Sequence, residues 1–191
     1  MTQFLNRNRE LSYLDSRYRR DRAEIAVLYG RRRVGKSALA YHWASDKRTI
    51  FFFAQRLDSK TQLRQFSQSI RSLETEQDVP VDFCYPDWEA AFRTLGELAQ
   101  REQLVVIIDE YPYLVEMVPG ISTILQKVWD TQLQNSKIYL ILTGSLISVM
   151  KRHLLDDDAP LYRRHTWPYD LNAHRPNLLT PMRFLAVCPT I

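Results

Sequence analysis

Ile25-Ala26-Val27-Leu28-Tyr29 runs directly into Gly30-Arg31-Arg32-Arg33-Val34-Gly35-Lys36-Ser37, and Ala38-Leu39-Ala40-Tyr41-His42-Trp43 follows. An apolar run, a G-x-x-x-x-G-K-[ST] octet and a helix-forming segment thus stand in the order strand, glycine loop, helix, the setting in which this octet binds phosphate. Gly30 and Gly35 let the backbone curl with its N–H groups pointing inward, and the helix N-terminus adds a partial positive charge. Lys36 is expected to reach the β- and γ-phosphates, and the Ser37 hydroxyl to ligate Mg²⁺. Gly30, Arg31, Arg32, Arg33, Val34, Gly35, Lys36, Ser37 and Ala38 form the expected nucleotide-binding stretch. A random chain of this length would show the octet with a probability on the order of one per cent, and the flanking strand and helix lower that further.

The second motif is Leu104-Val105-Val106-Ile107-Ile108 followed by Asp109-Glu110. A parallel sheet delivers such an acid pair to the carboxyl edge where the glycine loop also lies. Asp109 is expected to hold Mg²⁺ directly or through water, and Glu110 to orient and polarise an attacking water. A third apolar run, Ile138 to Leu142, ends in Thr143-Gly144-Ser145. A small polar group there could hydrogen-bond the attacking water or the γ-phosphate. Thr143 and Ser145 could equally cap a helix beginning at Leu146, and both roles can hold together.

The remaining elements follow from periodicity. Asn8 reads as the N-cap of a short helix carrying Leu11, Leu14 and Tyr18. Ile50 to Ala54 reads as a strand buried on both faces. Ser59-Lys60-Thr61-Gln62 has the form of a capping box, and the helix it opens puts Leu63, Phe66, Ile70 and Leu73 on one face. Asp87 can cap a helix with Trp88, Phe92, Leu95 and Leu98 inward, and Ile121 to Leu133 suits another with Leu125, Val128 and Trp129 inward. Trp43 and Trp129 are expected in the core rather than against a nucleotide. Four strands alternating with helices give an α/β fold, a three-layer parallel sheet.

Composition sets the bounds. The 191 residues, 45% of them apolar, suffice for one domain with a sizeable core. The chain lacks an apolar run of the roughly 18 residues a membrane helix needs and the apolar segment of a signal peptide. Cys84 and Cys188 suggest neither a disulfide framework nor a metal site, so a reducing cytoplasm is expected. The net charge of +4 is uneven: residues 1–36 hold ten Lys/Arg against four acids. Such a basic segment is compatible with nucleic acid, but it surrounds a triphosphate site that accounts for part of the charge.

These motifs resemble the archaeal-type ATPase family, a branch of the STAND and AAA+-like P-loop NTPases. The resemblance rests on Phe4-Leu5-Asn6-Arg7 with Glu10-Leu11, on Tyr29 to Ser37, on Ile108-Asp109-Glu110-Tyr111-Pro112-Tyr113-Leu114, on Leu142-Thr143-Gly144-Ser145 and on Pro160-Leu161-Tyr162. It implies an additional-strand sheet, in which the strand ending at Thr143 separates the loop strand from the strand ending at Asp109. It also implies ATP and Mg²⁺ as ligands, Asn6 and Arg7 near the adenine pocket, and a protein partner or self-association. Arg31, Arg32 and Arg33 occupy variable loop positions, read here as solvent-facing or at a subunit contact. After Pro-Leu-Tyr the family has a glycine and two arginines. Here Arg163, Arg164 and His165 follow, so only Arg164 is left for a sensor-like or finger-like role.

The ATPase domain is thus expected to span residues 1–166. From Trp167 the chain shows no clear period and holds Pro168, Pro176, Pro181 and Pro189, which reads as an irregular tail over residues 167–191, from a truncated or frame-shifted gene or a genuine short extension. The leading functional reading is a switch-type ATPase domain, with phosphoryl transfer to water served by Lys36, Glu110, Thr143 and Arg164 and with Ser37 and Asp109 on the metal. A nucleotide-binding or regulatory module with little turnover is the alternative. A small-molecule kinase is disfavoured, because Asp109-Glu110 suits a water nucleophile and no arginine-rich lid segment follows the sheet.

Overall fold

The computed structural model describes residues 7–75, 78–165 and 167–171. Its elements are α1 (Asn8–Tyr18), β1 (Glu24–Tyr29), α2 (Lys36–Ala44), β2 (Thr49–Phe53), α3 (Ser59–Glu74), α4 (Trp88–Arg101), β3 (Leu104–Asp109), α5 (Tyr111–Met117), α6 (Ile121–Thr131), β4 (Ile138–Gly144), α7 (Ile147–Met150) and β5 (Trp167–Asp170). The strands form one parallel sheet in the order β2-β3-β4-β1-β5. β4 therefore lies between the loop strand β1 and the acid-bearing strand β3, as the resemblance implies.

The apolar runs are continuous because both faces of the sheet are covered. Alternate residues divide between two cores. Val27, Ile108 and Leu142 join α3, α4 and α6 on one face, whereas Leu28, Ile107 and Ile141 join α1 and α2 on the other. Trp43 and Trp129 are buried as expected, one in each core. The indole N–H of Trp43 donates to Asp15 Oδ1 at 2.7 Å, tying α2 to α1.

Several local expectations change. Asp58 caps α3 by accepting from the Thr61 N–H at 3.0 Å, so Ser59 is already helical. Gln62, the expected far end of a capping box, is drawn into the β2–α3 connection, accepting from Gln55 N–H and donating to Leu57 O. Asn8 likewise lies inside α1, whose N-cap residue is Arg7. Asp87 does cap α4, accepting from the Ala90 N–H at 2.7 Å.

The larger difference lies past residue 166, where a fifth strand continues the sheet. β5 pairs with β1 from Ala26↔Trp167 to Tyr29↔Asp170, and the Leu171 N–H reaches Tyr29 O. The irregular tail expected to begin at Trp167 thus starts with a sheet strand. Pro168 is tolerated because β5 is an edge strand: with Leu171 N bonded inward, strand alternation turns the Pro168 nitrogen outward, where no ladder donor is needed. Tyr169 and Leu171 pack into the α1/α2 core. Residues 172–191 lie outside the described residues. No helix among the described residues is long and apolar enough to cross a membrane.

Gly144 ends β4 against α5. A Cβ added there would stand 2.7 Å from Pro112 Cδ and closer still to Met150 Sδ. Gly144→Ala should therefore overpack this junction at a cost of about 1–3 kcal/mol. At roughly 2–4 °C per kcal/mol for a chain of this size, thermal unfolding should show a lower Tm in the variant.

Candidate functional site

The loop between β1 and α2 takes its shape from three left-handed positions, Gly30 (φ 148°), Arg33 (φ 64°) and Gly35 (φ 87°). Gly35 is the N-cap residue of α2, and its carbonyl accepts from the Leu39 N–H at 2.9 Å. A positive φ strains any residue with a Cβ, which is why the second glycine of the octet cannot readily be replaced. Arg7 supports the loop by donating to Val34 O at 3.0 Å, while its other terminal nitrogen is ion-paired to Glu10 at 2.7 Å. Asn6 lies outside the described residues.

Lys36 is 5% exposed, and its ammonium donates to the carbonyls of Gly30 and Arg31, both at 3.1 Å. Burial pushes its pKa below the usual lysine value, the Glu110 and Asp109 carboxylates draw it back up, and Arg32 pushes it down again. A cavity of about 420 Å³ opens beside the loop. Arg32, Arg33, Gly35, Lys36, Ser37 and Ala38 line it on the loop side. Glu110 lines it from the end of β3.

Asp109 is almost fully buried, and its Oδ1 accepts from the Thr143 hydroxyl and from the Glu110 N–H. Thr143 is itself fully buried. Its hydroxyl proton is thus committed to Asp109 rather than presented to the cavity. This bond spans neighbouring strands, since β3 pairs with β4. Glu110 caps α5 in a left-handed conformation (φ 52°, ψ 45°), and its Oε2 accepts from both the N–H and the hydroxyl of Ser145, at 3.1 and 2.9 Å. The Ser145 side chain does not cap α7, whose N-cap residue is Leu146 and makes no side-chain cap bond.

Arg164 is not brought to the loop. It forms a bidentate pair with Asp130, both N···O distances 2.7 Å, and also donates to the carbonyls of Pro160 and Tyr162. The Asp130 carboxylate holds its pKa above the usual arginine value. It lines an open depression with Trp129 and Tyr162, apart from the residues around Lys36. The finger-like placement drawn from the Pro-Leu-Tyr segment thus gives way to an intramolecular ion pair in this structure.

Sequence reasoning passed over two residues that line the cavity, Phe53 and Tyr113. Phe53 belongs to an apolar run read as doubly buried, yet β2 is the sheet edge and this side chain is 47% exposed. Tyr113 sits on α5, where its hydroxyl accepts from Arg32 and its ring lies 5.0 Å beneath the Arg56 guanidinium. Arg32 is therefore exposed but engaged across the cavity mouth.

For the metal, the residues present offer a hydroxyl from Ser37 and a carboxylate from Asp109. Hard oxygen donors in this small number suit Mg²⁺, which keeps several waters and shares its shell with substrate phosphates. Among the described residues no cluster of three or more acidic, histidine or cysteine side chains competes as a metal site.

The chain is similar to known proteins in family and in fold. The model of an ATPase domain predominantly from Archaea matches residues 4–180. The uncharacterised protein MJECL04 of Methanocaldococcus jannaschii is 31% identical over 163 residues, 85% of this chain and 34% of that protein. The uncharacterised ATP-binding protein MJ0423 of the same organism is 40% identical over 45 residues, covering 24% of this chain and 76% of that one. The chain therefore spans about a third of the length of MJECL04. Among solved structures, the Walker-type ATPase PABY2304 of Pyrococcus abyssi superimposes with a TM-score of 0.63 at 20% identity, covering 88% of this chain and 53% of that one. The Orc1 protein of Aeropyrum pernix, solved in complex with DNA, gives 0.60 at 16% identity, covering 87% and 45%. These structural likenesses show a shared fold. With the glycine loop, the acid pair at the end of β3 and β4 inserted between β1 and β3, the family match over residues 4–180 shows that the chain belongs to the ATPase domains found predominantly in Archaea.

Proposed function

We propose that this domain binds Mg·ATP at the β1–α2 loop and hydrolyses it, acting as the nucleotide switch of a longer assembly. The observation that carries the reading is that Glu110 lines the same cavity as Lys36 and Ser37. The inward N–H groups of the loop and the N-terminus of α2 would hold the phosphates. Lys36 would exchange its two loop carbonyls for phosphate oxygens. Ser37 and Asp109 would hold Mg²⁺, which when bound neutralises phosphate charge. Glu110 would accept a hydrogen bond from water and align it for in-line attack on the γ-phosphate, and the site would be complementary to the charge that spreads over the transferred group. Thr143 would fix the Asp109 carboxylate, and Arg7 would steady the loop at Val34.

One observation favours a second reading, a nucleotide-binding or regulatory module with little or no turnover: Arg164 is engaged with Asp130 and supplies no charge at the loop. Arginine fingers contribute about 10³- to 10⁵-fold in rate where present. Hydrolysis by this chain alone is accordingly expected to be slow.

Saturating Mg·ATP at about 100 times its dissociation constant should stabilise the fold by about 2.7 kcal/mol. Thermal unfolding should register this as an increase in Tm of about 5–11 °C. Lys36→Ala should abolish that increase, and an equal shift in the variant would remove the nucleotide from this loop. Single-turnover phosphate release should fall by about 10² or more in Glu110→Gln while the Mg·ATP shift survives. Equal release from the two proteins would leave the binding module as the reading.

A further inference from the structure

Arg32 is exposed on the rim of the nucleotide cavity, and its Nη2 donates to the hydroxyl of Tyr113 on α5. The bond links the β1–α2 loop to the helix whose N-cap residue is Glu110, across 81 positions of sequence. Arg32 and Arg33 line this cavity, whereas Arg164 is paired with Asp130 elsewhere. The site therefore holds a planar, permanently charged fork whose hydrogen-bond partner is an uncharged hydroxyl rather than a carboxylate.

Tyr113 is fixed from its own side. Its N–H donates to Glu110 O at 2.9 Å, which places it in the first turn of α5 beside the acid. The Arg56 guanidinium lies 5.0 Å from its ring centroid, and Arg56 is in turn paired with Glu116 at 3.1 Å. The Arg32 guanidinium is thus held on the acid side of the cavity, where the terminal phosphate meets Glu110 in the reading above. Lys36 shares that space: burial pushes its pKa down, and the Arg32 charge pushes it further in the same direction. Two cations facing one space repel each other until an anion enters between them. A phosphate also offers a guanidinium two charge-assisted hydrogen bonds, where a phenolic hydroxyl offers one uncharged acceptor.

We propose that Arg32 distinguishes ATP from ADP: its guanidinium leaves the Tyr113 hydroxyl for the terminal phosphate of ATP and stays on Tyr113 when ADP is bound. This role rests on nucleotide binding at the loop and not on hydrolysis. ADP places its phosphates on the loop N–H groups and Lys36 and brings no anion to the acid side. Tyr113 is then a competitor for Arg32, and its hydroxyl lowers the affinity for ATP in proportion to the molecules in which it holds the guanidinium. Binding of the terminal phosphate breaks the contact between loop and helix, so the two nucleotides leave the first turn of α5 differently restrained.

The test is calorimetric titration of the full chain, Arg32→Ala and Tyr113→Phe with Mg·ATP and with Mg·ADP. Arg32→Ala should weaken Mg·ATP about tenfold or more and leave Mg·ADP within about twofold of wild type. Tyr113→Phe keeps the ring beneath Arg56 and removes the competing hydroxyl, so Mg·ATP should bind about two- to tenfold more tightly with Mg·ADP again within about twofold. Retained Mg·ADP binding reports that each variant is folded, and opposite signs for two residues in contact are not produced by a merely structural role. Equal losses for both nucleotides in Arg32→Ala, or a Tyr113→Phe variant that binds Mg·ATP no more tightly than wild type, would overturn the exchange of Arg32 between Tyr113 and phosphate while leaving the loop as the nucleotide site. A wild-type chain that binds neither nucleotide, or a Lys36→Ala variant that binds both as wild type does, would overturn the nucleotide reading and the role of Arg32 with it.

Discussion

The insertion of β4 between β1 and β3 is the constraint on which the site depends. Were β3 to pair with β1 directly, the end of β4 would not lie beside the acid pair. With β4 interposed, Thr143 bonds to Asp109 and Ser145 to Glu110, and the two acids acquire different partners. Asp109 is buried and bonded within the sheet, while Glu110 steps off the strand into a left-handed cap at the cavity wall. One residue of separation in sequence thus becomes two chemical environments: a buried carboxylate bonded within the sheet and a carboxylate at the cavity wall with one oxygen unclaimed among the described residues.

The loop side is organised by the same economy of contacts. Among the described residues Lys36 makes its hydrogen bonds to loop carbonyls, and the nearby acids act on it through charge rather than direct ion pairs. Bonds to carbonyl oxygens at 3.1 Å exchange more readily than a buried ion pair, whose separation would strand a charge. An ammonium kept in this way can turn to phosphate without leaving a carboxylate uncompensated. Arg32 engages Tyr113 across the cavity mouth, and Arg56 stacks on the same ring while pairing with Glu116 at 3.1 Å. The loop and α5 are thereby coupled.

Much of this was legible in the sequence because the signals are local. The octet at 30–37, the apolar run ending at Asp109 and the Asp87 cap of α4 depend on neighbours within a few residues. The Asn8 and Ser59 caps moved by one residue, whereas the larger expectations that shifted depend on distant partners. Phe53 reads as core until β2 proves to be the edge. Pro168 reads as a breaker until β5 proves to be the other edge, where an outward nitrogen needs no partner. Ser145 is equally plausible as a helix cap until the chain brings Glu110, thirty-five positions upstream, within 2.9 Å. A choice between a local cap and a long-range hydrogen bond is made by packing that no local pattern encodes.

Arg164 carries that argument furthest. Its matching position in the Pro-Leu-Tyr segment suggests a charge delivered to phosphate, and its guanidinium has the planar fork such a task requires. The same fork fits a carboxylate equally well, and Asp130 on α6 supplies one at 2.7 Å to both arms. Asp130 is 42% exposed and Arg164 26% exposed at the side chain, so water screens the pair and its net stabilisation is modest, about 1 kcal/mol or less. The three-residue stretch Arg163-Arg164-His165 is further set by Arg163, held at φ 59° with its guanidinium 5.3 Å from the Tyr162 ring. An arginine held by so weak a pair is retained by geometry more than by energy. The carbonyls of Pro160 and Tyr162, which accept from the same guanidinium at 3.0 and 3.2 Å, fix its direction together with Asp130.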